Sequence, residues 1–272
     1  MSRGGTTIRR TESGSWLDSE VNSLKYAEDF ARLAEQLQAE HQQQPTLERI
    51  ASLAVQAVDA CDACGIILRD RDGRLTTAAA SDELAARAAQ LQEDLDEGPS
   101  VDEVWDLGTL TANDLCSELR WPRWAPAAAA LGVRSVLSLR LEISGSPLAA
   151  SLNLFAHQPY AFDATDLGIA SVFARHAANA LAAAHVEEGL RAAARSRQII
   201  GVAQGMLMQR FGLTLDQSFE LLRRYSQTHN VKLRVLAENL AESGGIKTTG
   251  VDGSPADPAA GLDQAFGIDP DV

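Results

Sequence analysis

From Phe162 to Ser243 the chain keeps a helical hydrophobic period and contains no strand-like run, whereas residues 46–155 alternate helical stretches with short β-rich ones. That switch implies two dissimilar folding units, because a period of 3.6 buries one face of a helix and a period of 2 one face of a strand. A length of 272 residues agrees, being more than one ordinary compact core needs. The expected fold class is α+β, a sheet with helices followed by an all-α bundle.

The helical stretch opens with Ile169, Val172, Phe173, His176, Ala177, Ala180, Leu181 and Ala184 at the i, i+3, i+4 spacing. A stripe made mostly of alanine lets helices approach closely. We expect it to close the mixed unit and also to form a homodimer seam, pairing with a helix over Ser19–Gln44 that carries Leu24, Ala27, Ala31, Ala34 and Leu37 and ends at Pro45. Docking within one chain is the alternative.

In the mixed unit Thr46 is expected to cap a helix carrying Leu47, Ile50, Leu53, Ala54 and Ala57. Strands are expected at Cys64–Leu68 and Arg74–Ala80 around the Asp72-Gly73 turn, and at Ser135–Ile143 and Leu148–Phe155 around Ser144-Gly145-Ser146-Pro147. Ser81 and Asp82 open a helix through Leu84, Ala88 and Leu91, which Gly98-Pro99 breaks. Residues 1–18 and the acidic tail 244–272 lack periodicity and are expected to be disordered.

Charge is distributed unevenly. The net charge is −13, yet residues 195–243 hold seven basic and four acidic side chains while residues 45–194 hold eleven and twenty-one. Local field rather than total charge governs contact with a polyanion. The basic segment splits into three helices. The first has the stripe Ile200, Ala203, Leu207, Phe211 and stops at Gly212. The second is opened by a Thr214/Gln217 capping box and is expected to bury Leu215, Phe219, Leu222 and Ser226. Asn230 then sets off the third, with Leu233, Leu236, Ala237 and Leu240.

Ala203-Gln204-Gly205-Met206-Leu207-Met208, Arg210-Phe211-Gly212, Ser218-Phe219-Glu220-Leu221-Leu222-Arg223-Arg224 and Asn230-Val231-Lys232-Leu233-Arg234 together resemble the ANTAR domain, over about a fifth of the chain. The resemblance implies an RNA partner, paired stem-loops in nascent transcript leaders whose capture prevents the terminator hairpin. Two positions depart from the pattern: Gln204 stands where Lys is frequent and Ser218 where Ala is usual. The candidate RNA-binding residues are Arg197, Gln204, Arg210, Arg223, Arg224, Lys232 and Arg234. Arginine suits the task because its flat fork binds phosphate bidentately and stacks on unpaired bases. Three helices in about fifty residues form a minimal bundle, and a dimer gripping two loops would gain avidity.

Residues 45–188 resemble a GAF sensor domain of the type joined to ANTAR, through Trp121-Pro122-Arg123-Trp124, Gly132-Val133-Arg134-Ser135-Val136-Leu137-Ser138-Leu139, Ser151-Leu152-Asn153-Leu154-Phe155 and Pro159-Tyr160-Ala161-Phe162. Arg140 and Ser100 depart from common residues of that family. The resemblance implies an antiparallel sheet with helices on one side and a ligand pocket beneath variable loops. It leaves the cofactor or small-molecule ligand unknown.

Chemistry is sparse. Cys61-Asp62-Ala63-Cys64 has redox or half-zinc spacing, but no second pair and no nearby His completes a metal site, so core packing is the expectation. Cys116 stands alone. His157, His176, His185 and His229 are read as structural, exposed or loop residues. The pairs Glu93/Asp94, Asp96/Glu97 and Asp102/Glu103 lack a nucleophile or phosphate loop beside them. No apolar run reaches membrane-span length, and Met1–Arg10 has no signal-peptide core. The expectation is a cytoplasmic, non-enzymatic, signal-responsive antiterminator. The alternatives are a DNA- or protein-binding regulator, and a redox enzyme using Cys61, Cys64 or Cys116.

Overall fold

The computed structural model describes residues 31–37, 39–40, 42–101, 107–143 and 149–242. The expectations for residues 1–18, 19–30 and 244–272, for the Ser144–Pro147 turn and for Asp102/Glu103 fall outside the described residues. The chain divides into two compact units at Glu188/Gly189.

In the first unit residues 31–37 are helical. Helix α1 is Gln43–Ala57, followed by β1 Ala63–Arg69, β2 Leu75–Ala80, helix α2 Glu83–Leu95, β3 Thr109–Ala112, the short helix α3 Trp124–Ala130, β4 Ser135–Leu141, β5 Ala149–Ala156 and helix α4, which starts at Ala164. The five strands form one antiparallel sheet in the order β2-β1-β5-β4-β3. The β1–β2 turn is built by Asp70, whose carboxylate accepts from the backbone N–H of Asp72 (2.9 Å) and Arg74 (2.8 Å), while Gly73 takes φ 84°.

Strand residues alternate between two cores. Cys64, Ile66, Leu137, Leu139, Leu152 and Leu154 face α1 and α4. Ala63, Val136 and Phe155 face α2, α3 and the Trp121/Trp124 pair, whose rings meet edge to face at 5.4 Å. Helices therefore cover both faces of the sheet rather than one, since strands this apolar on both sides need two covers.

Two boundaries differ from expectation. Pro45 does not end the preceding helix. It lies in the first turn of α1, where its missing N–H costs nothing, and Thr46 lies inside that turn with its hydroxyl donating to the Gln42 carbonyl at 2.7 Å. Helix α2 is capped by the Asp82 carboxylate, which accepts from Ala85 N–H at 2.8 Å, and stops at Asp96 in the left-handed region, before Gly98-Pro99.

Helix α4 begins where the Asp163 carboxylate accepts from the N–H groups of Thr165 and Asp166. It runs unbroken to Phe211, so the first of the three expected C-terminal helices is the end of α4 and not a separate element. Between Ala184 and Ile199 there is no proline, and Gly189, the one glycine there, stays helical without turning to positive φ.

In the second unit α4 ends at Gly212 (φ 65°), and α5 (Leu215–Thr228) and α6 (Leu233–Glu242) follow. The Thr214/Gln217 capping box is present, with each partner's side chain bound to the other's backbone N–H. Ala203, Leu207, Leu222, Leu236, Ala237 and Leu240 are fully buried. The inward face of α5 is a correction: Ser218 and Leu222 are buried with Leu221 and Tyr225 packed beside them, while Leu215 is 58% and Phe219 39% exposed. Ser226 does not fill the core; its hydroxyl donates to the Val231 carbonyl at 2.7 Å and holds the turn through Asn230 (φ 51°).

Candidate nucleic-acid interface

The seven residues singled out for RNA contact fall into three groups. Gln204 is half-buried, and its amide nitrogen donates to the Leu215 carbonyl at 3.1 Å and the Ser218 hydroxyl at 3.5 Å, tying α4 to the start of α5. Ser218 also donates to Leu215 O at 2.7 Å, which explains how a hydroxyl sits in this core without an unpaired donor.

Arg223 and Arg234 are each engaged by a carboxylate one turn away, Arg223 with Glu220 at 2.7 Å and Arg234 with Glu238 at 3.2 Å. Arg197, Arg210, Arg224 and Lys232 form the third group. All four are exposed, and among the described residues none of their side chains has a hydrogen-bond or ion-pair partner. Of the seven candidates, these are the cations that can meet a phosphate without first giving up a carboxylate. His229 caps α5 and stacks on Tyr225 at 5.5 Å.

The first unit holds a different kind of chemistry. On the sheet face under α2, the Asn153 side-chain carbonyl accepts from Ser100 Oγ (3.0 Å) and Ser138 Oγ (2.6 Å), while Ser151 Oγ donates to Ser100 Oγ at 2.9 Å. The Ser100 N–H donates to Gln92 Oε1 at 2.8 Å. All five residues are at most 0% exposed, and Gln92 Nε2 has no partner. Five polar side chains at the centre of an apolar core are costly unless satisfied, and a buried amide lacking an acceptor marks a place where one would be received. Sequence reading missed this cluster, since its members are spread over some sixty residues and Ser100, Ser138, Ser151 and Asn153 stood out only as positions of the family pattern. On the other face a cleft of about 460 Å³ opens between the β3–β4 edge and α4, with Arg140, Glu142, Arg175 and Asn179 on its walls.

The cysteine pair is packed, as expected. Burial pushes the Cys61 thiol up to about 12 and raises that of Cys64 well above the usual thiol range, and Cys61 Sγ donates to the Ala63 carbonyl. Both are thiols at neutral pH, so neither is a nucleophile, which removes the basis of the redox reading for this pair. Cys116 is exposed in the loop after β3. Among the described residues no group of His, Cys, Asp and Glu could hold a metal, and no helix is long and apolar enough to cross a membrane.

Glu97 is not merely a solvated carboxylate. The Arg123 side chain binds it at 2.6 Å, and the N–H groups of Arg123 and Trp124 donate to it, which holds its pKa below the usual glutamate range. It thereby ties the end of α2 to the start of α3.

Comparison with known proteins follows this division. A GAF-domain family model matches residues 40–182 and an ANTAR-domain model residues 188–240. The first covers more than half of the chain, which belongs to the GAF-domain family and carries an ANTAR domain after the sensor. That order of domains makes the chain a signal-responsive regulator. No curated protein matches the chain.

Among solved structures, the photosensory core module of the Stigmatella aurantiaca phytochrome is 11% identical, with 85% of this chain and 47% of that one covered and a TM-score of 0.53. A bacteriophytochrome of the photosynthetic bacterium R. palustris is 13% identical, with 73% and 46% covered and a TM-score of 0.51. The chain spans about half the length of these two, and the likeness is one of fold.

Proposed function

We propose that this chain is an RNA-binding antiterminator in the cytoplasm, whose C-terminal unit captures paired stem-loops in nascent leaders and whose GAF domain reads a small-molecule signal. The observation that carries it is the set Arg197, Arg210, Arg224 and Lys232. These are exposed cations without carboxylate partners among the described residues, gathered in the basic stretch of an otherwise acidic chain. Four such groups suffice for weak phosphate binding and need a second copy for a firm grip. Exposed Val172 and Val186 on the part of α4 in the first unit, 48% and 57% accessible, supply apolar surface for a homodimer. The orphaned Gln92 amide and the cleft beside Arg175 favour a polar ligand in the sensor.

The test is a gel shift of the full chain with a leader RNA holding two adjacent stem-loops, against unstructured RNA and duplex DNA of equal length. Preference for the paired stem-loops, lost progressively with salt, is expected. Equal binding to unstructured RNA, or tighter binding to DNA, refutes the reading.

A further inference from the structure

Two stretches of opposite charge adjoin in this chain. Residues 195–243 hold seven basic and four acidic side chains, and residues 244–272 hold Lys247 against Asp252, Asp257, Asp263, Asp269 and Asp271. The acidic stretch lies outside the described residues, and its sequence is more than a run of charge. Leu262, Phe266 and Ile268 are set among Asp263, Asp269 and Asp271, and Phe266 is the one aromatic residue of 244–272. Attraction between charges makes no use of such side chains, whereas an apolar recess beside a cation does.

The basic unit has that recess. A cavity of about 370 Å³ lies between the end of α4 and α5, lined by Phe211, Leu213, Gln217, Glu220, Leu221 and Arg224. It is at the low end of clefts that take a ligand, too short for a helix anchored over two turns, and of a size for one large side chain. Phe211, Leu213 and Leu221 are half-buried and form apolar walls. The Gln217 carbonyl oxygen is held by Thr214 N–H at 2.9 Å, which leaves its amino group as a donor. The Glu220 charge is engaged by Arg223 at 2.7 Å. The Arg224 side chain is exposed and has no hydrogen-bond or ion-pair partner among the described residues.

We propose that the acidic segment of the same chain docks here, with the Phe266 ring in the cavity and Asp263 or Asp269 on Arg224, so that it competes with RNA for the exposed cations. The competition rests on the RNA reading above; the docking does not. Reach is ample. Residues 243–260 join α6 to the docking stretch and can extend to about 60 Å, against about 21 Å for the length of α5. Tethering supplies an effective concentration of about 1 mM, so a docking constant of about 0.1–0.4 mM leaves a fraction of about 0.1–0.3 undocked.

Docking is tested on the full chain with trifluoromethylphenylalanine in place of Phe266, read by fluorine NMR with a soluble gadolinium chelate. The ring is expected to be shielded from the chelate, less so in Arg224→Ala, and to be released by heparin, a polyanion without bases. A ring as open to the chelate as in the urea-unfolded chain overturns the proposal. Shielding unchanged by Arg224→Ala overturns the site, and shielding unchanged by heparin overturns the competition. Shielding that fades on dilution puts the segment on a second copy and overturns docking within one chain.

The consequence for RNA is read with Phe266→Ser, which keeps every charge and lies outside the packed core. Its affinity for a leader hairpin is expected to rise about 3- to 10-fold, the reciprocal of the undocked fraction. Repulsion by the acidic residues alone predicts no change in this variant, and an unchanged affinity overturns the competition. Absence of hairpin binding by both wild type and variant overturns the RNA reading instead, while the fluorine signal still decides whether the segment docks.

Discussion

The division of the basic residues into engaged and unengaged cations makes a quantitative claim about salt dependence. If Arg197, Arg210, Arg224 and Lys232 each neutralise one phosphate, each adds about 0.7–0.9 to the slope of log affinity against log salt. Four contacts per protomer then give a slope of about −2.8 to −3.6, so raising salt from about 50 to about 200 mM weakens binding about 50- to 150-fold. Removing one unengaged cation, Arg224→Ala or Lys232→Ala, flattens the slope by about 0.7–0.9, and the loss of affinity is then about threefold larger at the lower salt than at the higher.

Arg223→Ala and Arg234→Ala are the controls. Each removes the same charge from a side chain already held by a carboxylate, Glu220 at 2.7 Å or Glu238 at 3.2 Å. Such exposed pairs are worth about 1 kcal/mol at most, enough to bias a footprint and not enough to forbid contact. The expectation is therefore an order: the slope changes more for Arg224 and Lys232 than for Arg223 and Arg234, and Glu238→Gln, which releases Arg234, steepens it. Anisotropy titrations at four or five salt concentrations measure this. Equal slope changes for all four arginine and lysine variants refute the claim that ion pairing sets the footprint.

Three further outcomes are expected. Leu222→Ala removes one of six fully buried side chains from the core of the second unit; a loss of about 2–5 kcal/mol is large for so small a bundle, and calorimetry should show the second unit melting early while the first is unchanged. Glu97, Asp114 and Glu118 all have depressed pKa values, through Arg123, through the Cys116 N–H and Arg134, and through Arg120 respectively. A carboxylate whose folded pKa is depressed stabilises above its unfolded pKa and loses that contribution as pH falls through the folded value. The first unit's melting temperature should thus hold down to the ordinary carboxylate range and drop below it, less steeply in Glu97→Gln; an acid limb identical in wild type and variant would refute this role. Alkylation of the native chain near neutral pH followed by mass spectrometry should mark Cys116 and spare Cys61 and Cys64, since both are buried and the Cys61 thiol is pushed up to about 12; rapid labelling of Cys61 would refute the packing.

Local chemistry made much of the fold readable. The Asp72-Gly73 turn, the Thr214/Gln217 capping box and the Gly212 stop are decided by residues within four positions of each other, so the sequence alone carries them. The inward face of α5 was not readable in this way. Periodicity favoured Leu215 and Phe219, yet Ser218 takes the inner position because its hydroxyl reaches Leu215 O within its own helix and Gln204 on α4. The same tie involves Gln204, a candidate RNA donor whose amide is held by a carbonyl eleven residues away.

Among the candidate cations the spacing of Glu220 to Arg223 and of Arg234 to Glu238 was visible as i, i+3 and i, i+4. Only geometry shows that both pairs form. The Ser100, Ser138, Ser151 and Asn153 cluster left no trace in any period, because partners 51 and 53 residues apart meet only once β4 and β5 pair and the end of α2 closes over them.

The charge distribution also limits how this regulator can tell one transcript from another. Phosphate contacts are alike on every RNA, and four of them give weak, salt-sensitive attachment. The remaining surface does not add to it, because the first unit carries a large acidic excess that repels polyanions. On the RNA reading, discrimination must therefore come from contributions that do not scale with charge. These are the stacking of unpaired bases on flat side chains, and the simultaneous engagement of two loops by two copies. Their signatures separate cleanly: a stacking contribution survives high salt and vanishes with the base, whereas a second loop raises affinity without changing the penalty for an abasic position. A chain whose preference for its own leader faded with salt as fast as its total affinity would owe that preference to charge alone, and neither base stacking nor the pairing of copies would then be needed.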